Sequence, residues 1–375
     1  MHILIYNWKD LKHPEVGGAE IITHHIAKRL AKQGHTVTWF CRSFPGGSER
    51  DRYDGITIVR RGNLLSTYYH GWRYYRSLKQ KPDLVIDMLN TLFWQTPRYA
   101  RNSRIVAYVN QLAREVFYYQ LPWPLAGFAY QLEPLQFLSY RKTPFVCYAQ
   151  STKDDLASVD IPKRNIALFP LGLDHGRYRT GRKASYPLFV TLGRLAAMKR
   201  NDLVIRAMAH VAKQLPAAKL VIIGEGPEKS HLNRLVTQLH LETSVTIADK
   251  DVWFFGKSKK DQKIELLKQA WALVIPSAKE GWGMVVTEAA ACGTPTIGTN
   301  VTGLRDSIKD GKTGLLVSAN ASPAELAETM VSLATDRKRR ETIARNALKF
   351  SKTLDWNKSF DEFRRAVTKV SGVKL

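Results

Sequence analysis

The chain has 375 residues, more than one hydrophobic core ordinarily organises, so its length points to about two domains. Hydrophobic residues make up 44% and charged residues 24%, a balance that excludes wholesale disorder. Lys and Arg number 57 against 33 Asp and Glu, a net charge of +24 that draws phosphorylated small molecules, anionic membranes and polyanions without choosing among them.

Residues 3–6 read as a short apolar strand, and Lys9 and Asp10 follow too soon for the apolar stretch of a signal peptide. A loop ending in Gly17-Gly18 leads into a helix from Ala19, with Ile22, Ile26 and Leu30 on one face and Gly34 as its stop. Residues 36–40 complete a βαβ unit, and further strands are expected at 56–59, 84–87, 105–108, 145–149 and 166–169. Periodicity lapses over 171–186, which reads as a linker between a domain of residues 1–170 and another of 187–350. The second domain repeats the alternation, with strands expected at 188–192, 219–223, 252–255, 272–275, 296–298 and 314–317 and amphipathic segments at 202–215 and 261–270. Strand–helix alternation implies parallel sheets covered on both faces. The fold class is therefore α/β, with two Rossmann-like domains facing a central cleft, where a ligand would bind.

No apolar run reaches the ~18 residues of a membrane span. The nearest, 121–138, is broken by Pro122, Pro124, Glu133 and Pro134. Cys41, Cys147 and Cys292 are odd in number and far apart, so they read as small buried residues of a reducing, cytoplasmic compartment rather than as a disulfide framework or zinc site.

The segment 275–288 carries the strongest chemical signal. A buried strand ends before Pro276, and Glu280 follows in the loop at its carboxyl end, where open α/β sheets bind ligands. Gly281 and Gly283 flank Trp282 and let a ligand approach the backbone. A helix starting near Met284 and Val285 offers unpaired N–H groups and a positive dipole to a phosphate. Glu288, one turn in, can accept hydrogen bonds from the vicinal hydroxyls of a ribose.

Glu280 and Glu288, the Gly-x-Gly between them and the following Ala290-Ala291-Cys292-Gly293-Thr294-Pro295 resemble the retaining glycosyltransferases of family 4, which have the GT-B fold. Further motifs fit in order: Gly17-Gly18-Ala19-Glu20, Gly193-Arg194-Leu195 with Lys199, Ile223-Gly224-Glu225-Gly226-Pro227, Gly303-Leu304-Arg305-Asp306 and 311–317. The resemblance implies a donor-binding C-terminal domain, an acceptor-binding N-terminal domain, and a last helix within 351–375 that crosses back to the N-terminal one. It implies transfer of a hexose from a UDP- or GDP-linked sugar to a saccharide or lipid-linked acceptor, with Glu280 positioning the sugar and Arg194 and Lys199 stabilising the leaving diphosphate in place of a metal. The backbone near Trp253 and Phe255 would flank the base. No cofactor is expected.

Where the family commonly carries a histidine stands Asn110, which can hydrogen-bond a sugar hydroxyl but holds no charge. Either the enzyme uses an amide there or the chain is a low-activity or non-catalytic sugar-nucleotide binder. Asp249-Lys250-Asp251 reads as solvated rather than metal-binding. A dinucleotide fingerprint fails because the Gly-x-Gly-x-x-Gly spacing is absent and Cys41-Arg42 ends the second strand without an acidic residue. Nucleic acid is not the expected partner, since no recognised module accompanies the charge. The basic, aromatic stretch 68–76, joined by the apolar 116–123, reads in two ways: a helix lying on the inner face of an anionic membrane, or helices packed on the N-terminal sheet with their cations outside.

Overall fold

The computed structural model describes residues 1–248 and 259–375, which divide into two compact units. The first takes in 1–117, 123–172 and 356–375. Its strands are β1 (His2–Tyr6), β2 (Thr36–Cys41), β3 (Arg50–Tyr53), β4 (Ile56–Arg60), β5 (Leu84–Leu89), β6 (Arg104–Val109), β7 (Phe145–Cys147) and β8 (Ile166–Leu168), in the sheet order β3-β4-β2-β1-β5-β6-β7-β8. All pairings are parallel except the β3–β4 hairpin, turned at Asp54-Gly55, where both residues have positive φ. Between the strands run α1 (Gly18–Lys32), α2 (Ser66–Ser77), the single turn α3 (Thr96–Tyr99), α5 (Leu125–Gln136) and α6 (Gln150–Ser158), while residues 118–120 of the single turn α4 (Phe117–Gln120) count with the second unit. The apolar run of β1 and that of β5, which only Asp87 interrupts, are buried because helices cover both faces of the sheet.

The second unit comprises 118–122 and 173–355. Its strands β9 (Leu188–Leu192), β10 (Lys219–Ile223), β11 (Val245–Ala248), β12 (Ala272–Ile275), β13 (Thr296–Thr299) and β14 (Gly314–Val317) lie in the order β11-β10-β9-β12-β13-β14, all parallel. Its helices are α7 (Asn201–Gln214), α8 (Lys229–Gln238), α9 (Lys259–Gln269), α10 (Met284–Ala291), the short α11 (Leu304–Ser307), α12 (Pro323–Thr335) and α13 (Arg337–Ser351). The strand order reverses at β9, so the loops leaving β9 and β12 flank a topological switch point.

The last helix, α14 (Trp356–Ser371), belongs to the first unit and packs on β6, β7 and β8. Trp356 stacks on His25 with ring centroids 3.9 Å apart, and Phe363 packs on Phe169. A side chain on Gly172 would collide with Trp356, its Cβ falling 2.3 Å from the indole.

Two helices of the first unit bear on the aromatic stretches. Helix α2 buries Tyr74 and Tyr75 in the core and leaves Arg73 and Arg76 outside, over the rings of Tyr69 and Trp72, so it packs on the sheet. Helix α5 is inverted. Its one charge, Glu133, is buried and accepts the N–H groups of Ala113 and Arg114 at 2.7 and 2.8 Å, while Leu125, Phe128, Leu132 and Leu135 face outward. Trp123 precedes them at 80% exposure. Among the described residues no helix is long and apolar enough to cross a membrane. The three cysteines are buried, and none is in a disulfide.

Candidate active site

Most of the expected donor-side residues gather on the loops after β9 and β12 and at the start of α10. The two loops are tied by backbone: Ala278 N–H donates to the Met198 carbonyl at 2.8 Å. Glu280 lies in the second loop, and its Oε1 accepts from Ser277 Oγ at 2.8 Å and from Lys199 Nζ. The carboxylate and the ammonium are only partly exposed. Lys279, beside Glu280, is buried, a second cation at this loop that the motif reading passed over. Gly281, Gly283, Met284 and Val285 are partly exposed, and Trp282 is buried. Gly283 caps α10 at φ 77°, a left-handed conformation that suits glycine. Val286 N–H is already bonded to the Gly283 carbonyl, so the earlier N–H groups at this end are the ones with no acceptor within the helix.

Gly193 and Arg194 are exposed at the carboxyl end of β9. Gly224 lies against them, where a Cβ would come 1.9 Å from the Gly193 carbonyl oxygen. Leu195 N–H donates to the Glu225 carbonyl at 2.8 Å, so the Gly193 and Gly224 loops form one braced surface.

Glu288 is buried one turn into α10. It accepts the Tyr178 hydroxyl at 2.7 Å on one oxygen and pairs with Lys263 on the other. Burial first, then the carboxylate, raises the Tyr178 pKa well above the usual phenol range, so Tyr178 stays a donor. Neither partner was legible beforehand. Tyr178 falls in the stretch read as linker, yet it and Leu173 are buried in the second unit's core. Lys263 was one cation among 57. Trp253, Phe255 and Asp249-Lys250-Asp251 lie outside the described residues. Among the described residues, no group of three or more His, Cys, Asp or Glu could hold a metal ion.

The first unit carries the other expected residues. Gly17 and Gly18 are exposed at the start of α1, where Gly17 N–H donates to Glu20 Oε2 at 2.7 Å. The loop ahead of them is anchored by Asp10, fully buried, which takes Arg60 Nε at 2.6 Å and Nη2 at 3.0 Å. At Asn110, Oδ1 accepts from Tyr148 OH at 3.1 Å, whereas the buried Nδ2 has no partner among the described residues. The amide is thus oriented by the protein with its donor unused.

Two family models match. One described as Glycosyltransferase Family 4 covers residues 16–177, and one described as Glycosyl transferases group 1 covers 177–350. A D-inositol 3-phosphate glycosyltransferase of Thermomonospora curvata is 32% identical over 200 residues, 52% of this chain and 46% of the relative. The chain thus spans about half the length of the curated relatives it matches. Sucrose-phosphate synthase from Thermosynechococcus elongatus superposes with a TM-score of 0.79 at 18% identity, over 98% of each chain. Anabaena HepE in complex with UDP-glucose gives 0.76 at 16%, over 100% of each. With the two models together spanning residues 16–350 and the fold matched along the whole chain, this protein belongs to the GT-B glycosyltransferases.

Proposed function

We propose that the chain transfers a hexose from a UDP-linked sugar to a saccharide or lipid-linked acceptor, with retention of configuration and without a metal. The observation that carries this reading is the carboxylate of Glu280, held by Lys199 and Ser277 beside the amino end of α10. In this site the donor diphosphate lies against the first N–H groups of α10 and the cations Arg194 and Lys199, which offset the charge developing on it as the glycosidic bond breaks. Glu280 orients sugar hydroxyls, and the departing phosphate takes the acceptor proton. Glu288, fixed by Tyr178, accepts from the ribose. The HepE structures with UDP and UDP-glucose support the choice of base. A thermal-shift panel of UDP-, GDP- and ADP-sugars tests it, because a ligand that binds the native state raises its stability. The UDP-sugars should shift the transition most, and a larger shift with GDP- or ADP-sugars would overturn the assignment.

The outward face of α5 supports a second reading, docking on an anionic membrane that presents the acceptor. Leu125, Phe128, Leu132 and Leu135 form an uncharged apolar face, and the exposed Arg141 and Lys142 follow the helix in sequence. Apolar insertion beside cations is how a helix lies in a lipid interface. Co-sedimentation should show binding to vesicles containing phosphatidylglycerol and its loss in Phe128→Glu/Leu132→Glu; equal binding of variant and parent rejects this surface.

A further inference from the structure

Away from the donor loops, the second unit holds a cavity of about 360 Å³ lined by Lys183, Trp271, Gly293, Arg337, Arg340 and Glu341, among others. Its charge is lopsided: three cations face one carboxylate, and that carboxylate is engaged by Arg337 Nε at 2.7 Å. Arg340 is held rigidly. Its guanidinium stacks 4.0 Å above the Trp271 ring, and Nη1 donates to the Leu333 and Ala334 carbonyls at the end of α12. Nε and Nη2 make no hydrogen bond among the described residues, which leaves three N–H donors unused. Lys183 lies beside it, bonded to Thr294 Oγ1 and, at 3.5 Å, to the Cys292 carbonyl. Burial lowers the Lys183 pKa to about 8.

We propose that this cavity is a second anion site, built for a small phosphate-bearing metabolite. A phosphate satisfies the unused guanidinium donors of Arg340, meets Lys183 and Arg337 at its rim, and offsets a local excess of positive charge. Such a ligand also bears on the donor site. Gly293 lies two residues past α10, whose amino end holds the donor diphosphate in the proposed function on which this link rests, and α13, which supplies Arg337, Arg340 and Glu341, packs along α10. An anion there braces the donor helix from behind.

Calorimetric titration of the full chain with inorganic pyrophosphate tests the site, using Arg194→Ala/Lys199→Ala to silence the donor loops. That variant should still bind pyrophosphate, and adding Arg337→Gln or Lys183→Met should weaken the remaining binding at least tenfold. Arg337 is exposed, so its variant carries little risk to folding. At pH 8 binding should take up protons, because an adjacent anion favours charged Lys183, and the uptake should vanish in Lys183→Met. Hydrogen exchange should slow at residues 289–294 and 337–344. Loss of all binding in Arg194→Ala/Lys199→Ala, or binding unmoved by both Arg337→Gln and Lys183→Met, overturns the proposal.

Discussion

Lys199 Nζ donates to Glu280 Oε1 between loops that leave neighbouring strands, 81 residues apart in sequence. The pair neutralises itself, and in the proposed transfer the ammonium turns to the donor's diphosphate and the carboxylate to sugar hydroxyls. Removing either partner should therefore harm the chemical step more than binding. Lys199→Ala and Glu280→Gln should each lower kcat for transfer roughly a hundredfold or more. Steady-state kinetics with a UDP-sugar checks this, and unchanged kcat in both variants would show that the chemistry lies elsewhere.

Tyr178 acts one step further back. Its hydroxyl fixes one oxygen of Glu288, leaving Lys263 on the other. Tyr178→Phe should raise the donor KM about tenfold, equivalent to roughly 1.4 kcal/mol, with little change in kcat. A kcat loss at constant KM would instead tie Glu288 to the transition state.

Asn110 presents an oriented Nδ2 donor without a partner. Asn110→Asp replaces that hydrogen-bond donor with an acceptor and a negative charge, and, if the residue contacts the sugar as the family resemblance implies, should cut kcat/KM by roughly ten- to a hundredfold. Asn110→His, which keeps a donor, should retain activity. Full activity in Asn110→Asp would remove this residue from the site, and a large gain in Asn110→His would mark the natural chain as a weakened enzyme.

Asp87 gives the first unit a pH signature. It is fully buried, and burial raises its pKa to about 6 even though Thr96 and Tyr140 donate to it and oppose the shift. The folded state therefore holds a proton that the unfolded chain releases at lower pH. Stability from this group is full below the unfolded value near 4 and declines as pH rises through 6. Urea unfolding from pH 4 to 7 should show this falling component, and Asp87→Asn should flatten it. An identical pH slope in the variant contradicts the assignment.

Most strands were legible because parallel strands covered on both faces write themselves as short apolar runs, as at 188–192, 219–223 and 272–275. The edge strand β3 was not, because Arg50, Asp51 and Arg52 have the composition of a solvated loop and its pairing with β4 depends on the Asp54-Gly55 turn. Strand β11 was also missed: Val245 and Ile247 alternate with Thr246 and Ala248 over too few residues to stand out. The strand expected at 252–255 lies outside the described residues. The family resemblance singled out Glu280 and Lys199, which the fold brings together. It could not find Tyr178, Lys263 or the Asp10–Arg60 anchor, since those contacts exist only once distant segments are folded together.

Helix α14 sets an order of events for synthesis. The sheet that leaves the ribosome first is finished by the helix that leaves after the entire second unit. Until Trp356 reaches His25 and Phe363 reaches Phe169, the nascent first unit exposes the apolar surface those side chains later cover. The second unit, apart from residues 118–122 a single stretch, has no such wait. Ribosome-arrested chains should thus acquire protease resistance in the later-made unit before the earlier one.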